Sequence, residues 1–139
     1  MNLGFIGTGK ITSSVVTGIC GSDLKYKKIF VSSRNRTVSK NLKKKFKKIY
    51  IFENNQEIID KCNWIFLAVT PNVAKKIIKK LKFRNNQMIV SFVATLNLSD
   101  IKKAIKVKAK VVRAIPLPFI SLRKGPVPIC PPNRKVKNF

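Results

Sequence analysis

Short apolar runs alternate along this chain with segments whose apolar residues recur every third or fourth position. Leu3-Gly4-Phe5-Ile6 is the first run, and Ile11, Val15 and Ile19 follow at spacing four. Lys28 to Ser32 (KIFVS), Ile49 to Phe52 (IYIF), Trp64 to Val69 (WIFLAV), Met88 to Val93 (MIVSFV) and Ala109 to Ile115 (AKVVRAI) read as further strands. The WIFLAV run is apolar at every position, as expected of a central parallel strand buried on both faces. Between the strands, helices are predicted over Thr37 to Lys47, Asn55 to Cys62 and Leu98 to Ile105. Another starts at Pro71, with Val73, Ala74, Ile77, Ile78 and Leu81 as its apolar stripe. Strict strand-helix alternation predicts an α/β fold with a doubly wound, mostly parallel sheet, helices on both faces, and ligands at the strands' C-terminal edge.

Past Ile115 the pattern breaks. Pro116, Pro118, Pro126, Pro128, Pro131 and Pro132 crowd the terminal segment, where Val127 to Cys130 is the one further strand expected, at a sheet edge. The 139 residues are thus read as one domain, with 116–139 as its proline-rich end.

The first strand leads into Gly7-Thr8-Gly9, and a helix follows, which is the setting a dinucleotide fingerprint requires. The first glycine permits the tight turn. The second lets backbone approach a pyrophosphate, whose charge suits the unpaired N–H groups of a helix start. Thr12 occupies the third fingerprint position, so the motif is GxGxxT. An ordinary strand-turn-helix corner would show the same residues. With the motif in place, the fold expected is Rossmann-type.

About 20 residues past such glycines, an NAD-binding fold carries an acid for the ribose 2′-hydroxyl. Here Ser33-Arg34-Asn35-Arg36 follows the second strand, and no Asp or Glu lies between Lys25 and Phe52. A basic, hydroxyl-bearing turn suits a 2′-phosphate, with Arg34 as its fork of donors, and favours NADP over NAD. An exposed loop in a basic protein is the alternative.

Charge changes the picture less than its size suggests. Thirty Lys and Arg against five Asp and Glu give a net charge of +25. The lysines fall largely on helix faces left free by the apolar stripes, such as Lys75, Lys76, Lys79 and Lys80. Solvated faces explain most of them. Weak, salt-sensitive adhesion to polyanions is expected as a side effect, without specific nucleic-acid recognition. Cys20, Cys62 and Cys130 are far apart, and histidine is absent, so no metal site is expected and buried reduced thiols are the default. No apolar stretch approaches the roughly 18 residues of a membrane span, and Lys10 interrupts the N-terminal run. A cytoplasmic location away from membranes is the expectation.

Taken together these stretches resemble the N-terminal half of pyrroline-5-carboxylate reductases. GFIGTGKITSSVVTG is similar to that family's glycine-rich opening, SSRNR falls where the family reads the NADP phosphate, and FLAVTP and VVRAIPLPFISLRKG resemble two later loops. The resemblance implies cofactor contacts at Gly7, Thr8, Gly9, Lys10 and Ile11, at Ser33, Arg34 and Asn35, and at Asn55. It implies further contacts at Ala68, Val69, Thr70 and Pro71 and at Phe92, Val93 and Ala94. It also implies NADPH-dependent reduction of a cyclic imino acid to proline, and a homodimer formed through a helical C-terminal domain that these residues do not resemble. Leu117 stands where the family has Asn. No acid-base residue is recognisable, and the catalytic side chain is left unassigned. Three rivals stay open: a β-hydroxyacid dehydrogenase or F420-dependent NADP reductase, a non-catalytic nucleotide-binding or RNA-adhering module, and a truncated product.

Overall fold

The computed structural model describes residues 1–139. Seven strands form one sheet: β1 (Asn2–Ile6), β2 (Lys28–Ser32), β3 (Ile49–Phe52), β4 (Trp64–Leu67), β5 (Met88–Ser91), β6 (Lys110–Ala114) and β7 (Ile129–Cys130). Their order is β3-β2-β1-β4-β5-β6-β7, and every pair is parallel except β6 with β7. The strand order reverses between β2 and β4, with β1 at the switch. The crossovers are α1 (Lys10–Cys20), α2 (Arg36–Lys45), α3 (Asn55–Lys61), α4 (Pro71–Ile78) and α5 (Leu98–Ile105); α6 (Arg134–Lys137) lies near the C-terminus. This is the doubly wound Rossmann-type fold that the alternation predicts.

Alternation along β1 sorts the two cores. Leu3 and Phe5 face α1 and α2, packing with Val15, Val16, Ile19, Leu42 and Phe66. The rings of Phe5 and Phe66 stack with centroids 4.4 Å apart. Ile6 faces the other way, among Ile58 and Ile59 of α3, Ala74 and Ile78 of α4, and Ile101 and Ile105 of α5. No helix is long and apolar enough to cross a membrane.

Several boundaries differ from the predicted ones, each for a local reason. α2 begins at Arg36 because the Asn35 side chain caps it, accepting from Val38 N at 3.2 Å. It ends at Lys45, where Phe46 turns extended. β4 and β5 leave the ladder at Leu67 and Ser91, two residues short of the apolar runs. Val93 is buried all the same, in the core under α3 to α5. α4 stops at Ile78, and Lys80 and Leu81 both donate to the Ile77 carbonyl in a closing turn.

The terminal segment holds more structure than its prolines suggest. A 3-10 helix, Pro118–Leu122, packs on α1, where a Cβ on Gly18 would strike the Ile120 carbonyl. β7 is shorter than Val127 to Cys130, and Phe139 stacks on Trp64 at 4.8 Å. Together with α1, these short pieces cover the β4 to β6 region on that face. They leave a groove of about 610 Å³ lined by residues such as Phe66, Val90, Ile120 and Phe139.

The uniform expectation of buried thiols needs correction. Cys62 is fully buried, Cys20 is half-buried, and Cys130 is exposed because β7 is the last strand of the sheet. Burial pushes the Cys62 thiol up to about 12. It also raises Cys20, which accepts a hydrogen bond from the Tyr26 hydroxyl at 3.3 Å. A thiol-disulfide reagent at pH 8 is therefore expected to label Cys130 first and Cys20 slowly. Cys62 should react only on unfolding. Rapid native-state labelling of Cys62, read by peptide mass, would contradict this packing.

Candidate functional site

The turn from β1 into α1 is fixed from three sides. Gly7 has φ +98°, and a Cβ there would run into the carbonyl of Ala68 at the end of β4. Only glycine satisfies both conditions. Its N–H donates to Ser32 Oγ at 3.0 Å, from the last residue of β2. The Thr8 hydroxyl donates to the Ser32 carbonyl at 2.5 Å and lies 3.0 Å from Ser32 Oγ. With the Thr8 proton committed to that carbonyl, the Ser32 proton is left to point at Thr8 Oγ1. Thr12 Oγ1 donates to the Gly7 carbonyl at 2.7 Å.

All three hydroxyl residues are buried. Thr12 thus replaces the usual third glycine with a side chain that bonds back into the turn. The Thr8 side chain is part of this clasp, so Thr8 faces a ligand with its backbone alone.

Gly9 is different. It is exposed, its backbone is ordinary extended chain (φ −95°, ψ −168°), and a Cβ there would meet nothing within 4 Å. Nothing in the protein requires glycine at this position. The vacant volume lies at the start of α1, which has no side-chain cap and no acid in its first turn. The first amides of the helix therefore keep free donors beside the positive end of its dipole. A cradle that a side chain would fill, faced by unpaired N–H groups, fits a pyrophosphate. Lys10 and Ile11 belong to this first turn.

The neighbouring turns sit at the same edge because their strands flank β1 in parallel. After β2, Ser33 N bonds the Phe52 carbonyl, and Arg34 is exposed with no ion pair or hydrogen bond to the protein. Asn35 is less free than expected, since its side-chain oxygen caps α2. Arg36 forms an exposed pair with Glu53 at 3.6 Å, a contact of little energetic weight.

After β4, Ala68 N bonds the Ile6 carbonyl, and Val69 packs beside Gly7. Thr70 stands at the N-cap of α4 with its hydroxyl unused, ahead of Pro71. After β5, Phe92 is half-buried against Phe66 and Ala94 is exposed. The buried Val93 side chain belongs to the core and its N–H donates to Ser91 Oγ at 3.2 Å, so the expected contact at Val93 has neither side chain nor amide to make it. Asn55 opens α3 and lines a shallow hollow with Glu53, Ile77, Lys80 and Leu81.

Two contributors are not among the cofactor contacts that the sequence singles out. Ser32 ends a strand like any other, and only its contact with residues 7 and 8 reveals its task. A hydroxyl residue inside the glycine motif was the available hint. Arg113, on β6, donates through its guanidinium to the Leu96 carbonyl and so ties down the loop after β5, while its Nε is buried without a partner.

Residues 2–95 match the family described as NADP oxidoreductase, coenzyme F420-dependent. A pyrroline-5-carboxylate reductase of Arabidopsis thaliana is 26% identical over 104 residues, covering 73% of this chain and 37% of the plant protein. The Plasmodium falciparum pyrroline carboxylate reductase, solved with NADP bound, superposes with a TM-score of 0.80 at 22% identity. It covers 99% of this chain and 52% of its own. The Coxiella burnetii pyrroline-5-carboxylate reductase gives 0.82 at 23%, with 99% and 53% covered. The chain therefore spans about half the length of these solved relatives and less of the plant one. With the family match running from β1 to the loop after β5, through every turn of the candidate site, the chain belongs to the coenzyme F420-dependent NADP oxidoreductase family.

Proposed function

We propose that these residues form the NADP(H)-binding half of a reductase of the pyrroline-5-carboxylate type. The observation that carries the reading is Gly9: a glycine without an internal reason, opening the space in front of a bare helix start. Lys10 and Ile11 would hold the pyrophosphate through backbone amides, while Gly7, its own N–H committed to Ser32, shapes the turn. Arg34, unpaired in the fold, and Ser33 would take the 2′-phosphate, as two oxygens of a phosphate suit the guanidinium fork. Val69, Thr70, Pro71, Phe92 and Ala94 would line the nicotinamide side.

The bound cofactor would supply the hydride for reducing the C=N bond of a cyclic imino acid. The contribution of this chain is to orient the cofactor and to keep one side of it dry, with Val69 and Phe92 as apolar surface. The relatives' greater length supports the view that the imine is clamped, and a dimer built, by residues of a further helical domain. A second reading, hydride exchange with a deazaflavin, is favoured by the family description alone.

Gly9→Val is expected to leave circular dichroism and the melting temperature unchanged while abolishing NADPH binding in a fluorescence titration. Gly7→Ala should instead destabilise the fold, by about 1–3 kcal/mol for the strained backbone before the clash with Ala68 is counted. Normal NADPH binding by the Gly9 variant would reduce the turn to a structural corner.

Arg34→Ala should weaken NADPH binding by about 1.5–3 kcal/mol, the worth of a charge-assisted contact. NADH binding should hardly change. Equal losses for the two cofactors would remove the 2′-phosphate assignment.

A polypeptide of these 139 residues should bind NADPH but reduce pyrroline-5-carboxylate far more slowly than a median enzyme rate of roughly 10 per second. Much of the barrier reduction comes from holding the imine carbon against the nicotinamide, and no carboxylate clamp is recognisable here. NADPH oxidation followed at 340 nm, with a deazaflavin assayed in parallel, reads this directly. Rapid turnover would place a complete substrate site within this domain or a dimer of it.

A further inference from the structure

The candidate cofactor site leaves most of the positive charge unused. A single ion pair, Arg36 with Glu53, is formed, and both partners are largely exposed. Many lysines have a local account: Lys43 to Lys45, Lys75 and Lys76, and Lys102 and Lys103 lie in the last turns of α2, α4 and α5. Cations are favoured there by the carbonyl ends of the helices. Because the crossover helices run back toward the next strand starts, these lysines share that edge with a second set at the starts themselves, where the sheet adds only small net dipoles.

Lys48 precedes β3, Lys28 begins β2, the Met1 amino group precedes β1, Arg84 precedes β5, and Lys108 and Lys110 lie at the start of β6. The register aligns these starts. Lys28 is opposite Asn2, Leu3 opposite Trp64, Trp64 opposite Met88, and Met88 opposite Lys110. At about 4.8 Å between neighbouring strands, the row from β3 to β6 is roughly 24 Å long. Arg84 is held in it by donating to the Asp60 and Cys62 carbonyls, at 2.7 and 2.9 Å.

Acids are sparse on this edge. Glu53 follows β3, and Glu57 and Asp100 sit in the first turns of α3 and α5, all toward the opposite end. Asp23 and Asp60 are nearer, and Asp60 accepts from the Gln56 amide at 2.9 Å. Rings accompany the cations: Lys28 Nζ lies 4.8 Å from the centre of the exposed Tyr50 ring, and Lys48 Nζ lies 5.2 Å from Tyr26.

We propose that the N-terminal edge of the sheet is a docking surface for single-stranded nucleic acid, bound without sequence preference. A row of cations follows a phosphate backbone, and the exposed Tyr50 ring beside it gives a base a face to stack on once Lys28 turns from the ring to a phosphate. The exposed apolar side chains that a bilayer would need, Leu117, Phe119 and Leu122, lie on the segment after β6 and not among these strand starts. The surface is at the opposite end of the strands from the glycine turn, so it and a dinucleotide are occupied together.

The test is fluorescence anisotropy of a labelled 20-nucleotide uridine strand with the 139-residue chain across a salt series. Log affinity should fall linearly with log salt, with a slope of about −0.7 per phosphate neutralised. Combining Lys28→Gln, Lys48→Gln, Lys108→Gln and Lys110→Gln should weaken binding at least tenfold at 0.15 M salt and make the slope shallower by nearly 3. All four side chains are exposed. The matched control, Lys10→Gln, Arg34→Gln, Arg36→Gln and Lys40→Gln, removes the same charge from the helix-start side of the molecule and should lose less than threefold.

Equal losses in the two variants would assign the binding to diffuse charge and overturn the proposal. So would equally tight binding to phosphatidylserine vesicles, or displacement of the strand by saturating NADPH. If the fourfold variant fails to fold, Lys28→Gln with Lys110→Gln against Arg34→Gln with Arg36→Gln makes the same comparison.

Discussion

The close approach of Gly7 to the Ala68 carbonyl sets the geometry on which the C-terminal edge depends, because it brings the ends of β1 and β4 together at the point where the strand order switches. The contact would mean little if the turn could move. Ser32 and Thr8 prevent that by joining the turn to β2, and Thr12 joins it to α1. Buried hydroxyls are costly when unpaired and rigidifying when every donor has an acceptor. Here each donor does. The turn is therefore built before any ligand arrives, and binding need not supply the free energy of ordering it. The same clasp links the glycine turn to the residues just before Ser33 and Arg34, so the two turns proposed to face the phosphates share one rigid support.

Much of this edge was legible in the sequence because topology is local information repeated. Each apolar run followed by a helical stripe fixes one parallel strand, and parallel neighbours place their following turns on one side. Gly7, Ser33, Ala68 and Phe92 end up together for that reason alone. What hydrophobicity does not distinguish is a residue in the ladder from one packed beyond it. Val93 is as buried as a strand residue, yet it lies past the last rung of β5 and packs under α3 to α5. Apolar runs therefore overshoot strands where the chain bends toward a ligand edge. The role of Ser32 was hidden differently: it depends on a partner 24 or 25 residues away, and no periodicity encodes that.

The proline-rich end was the least legible part for the same physical reason. Its 3-10 helix exists because Ile120 can approach Gly18, about a hundred residues earlier, and its last residue is placed by Trp64 and Phe66. Prolines remove the N–H donors and the periodicity that announce regular elements, but they do not prevent long-range apolar contacts. The same segment shows why Cys130 escaped the rule that unpaired cysteines are buried. Burial there would need a strand beyond β7, and the sheet ends with it.

Charge and geometry divide the work of recognition between them. A net charge of +25 attracts any phosphate-rich molecule from beyond contact distance, whichever surface it meets. At physiological salt that attraction is screened over roughly 8 Å, so it governs encounter more than residence. Selection must then come from features that charge does not supply. At the C-terminal edge the features proposed for this are bare amides, a vacant space over Gly9 and one unpaired guanidinium at Arg34. At the N-terminal edge they are the spacing of cations set by strand register and the rings beside Lys28 and Lys48. Because the sheet is parallel, its two edges are chemically distinct ends, one made of strand ends and helix starts, the other of helix ends and strand starts. A polyanion drawn equally to both is sorted by which of those ends it can fit.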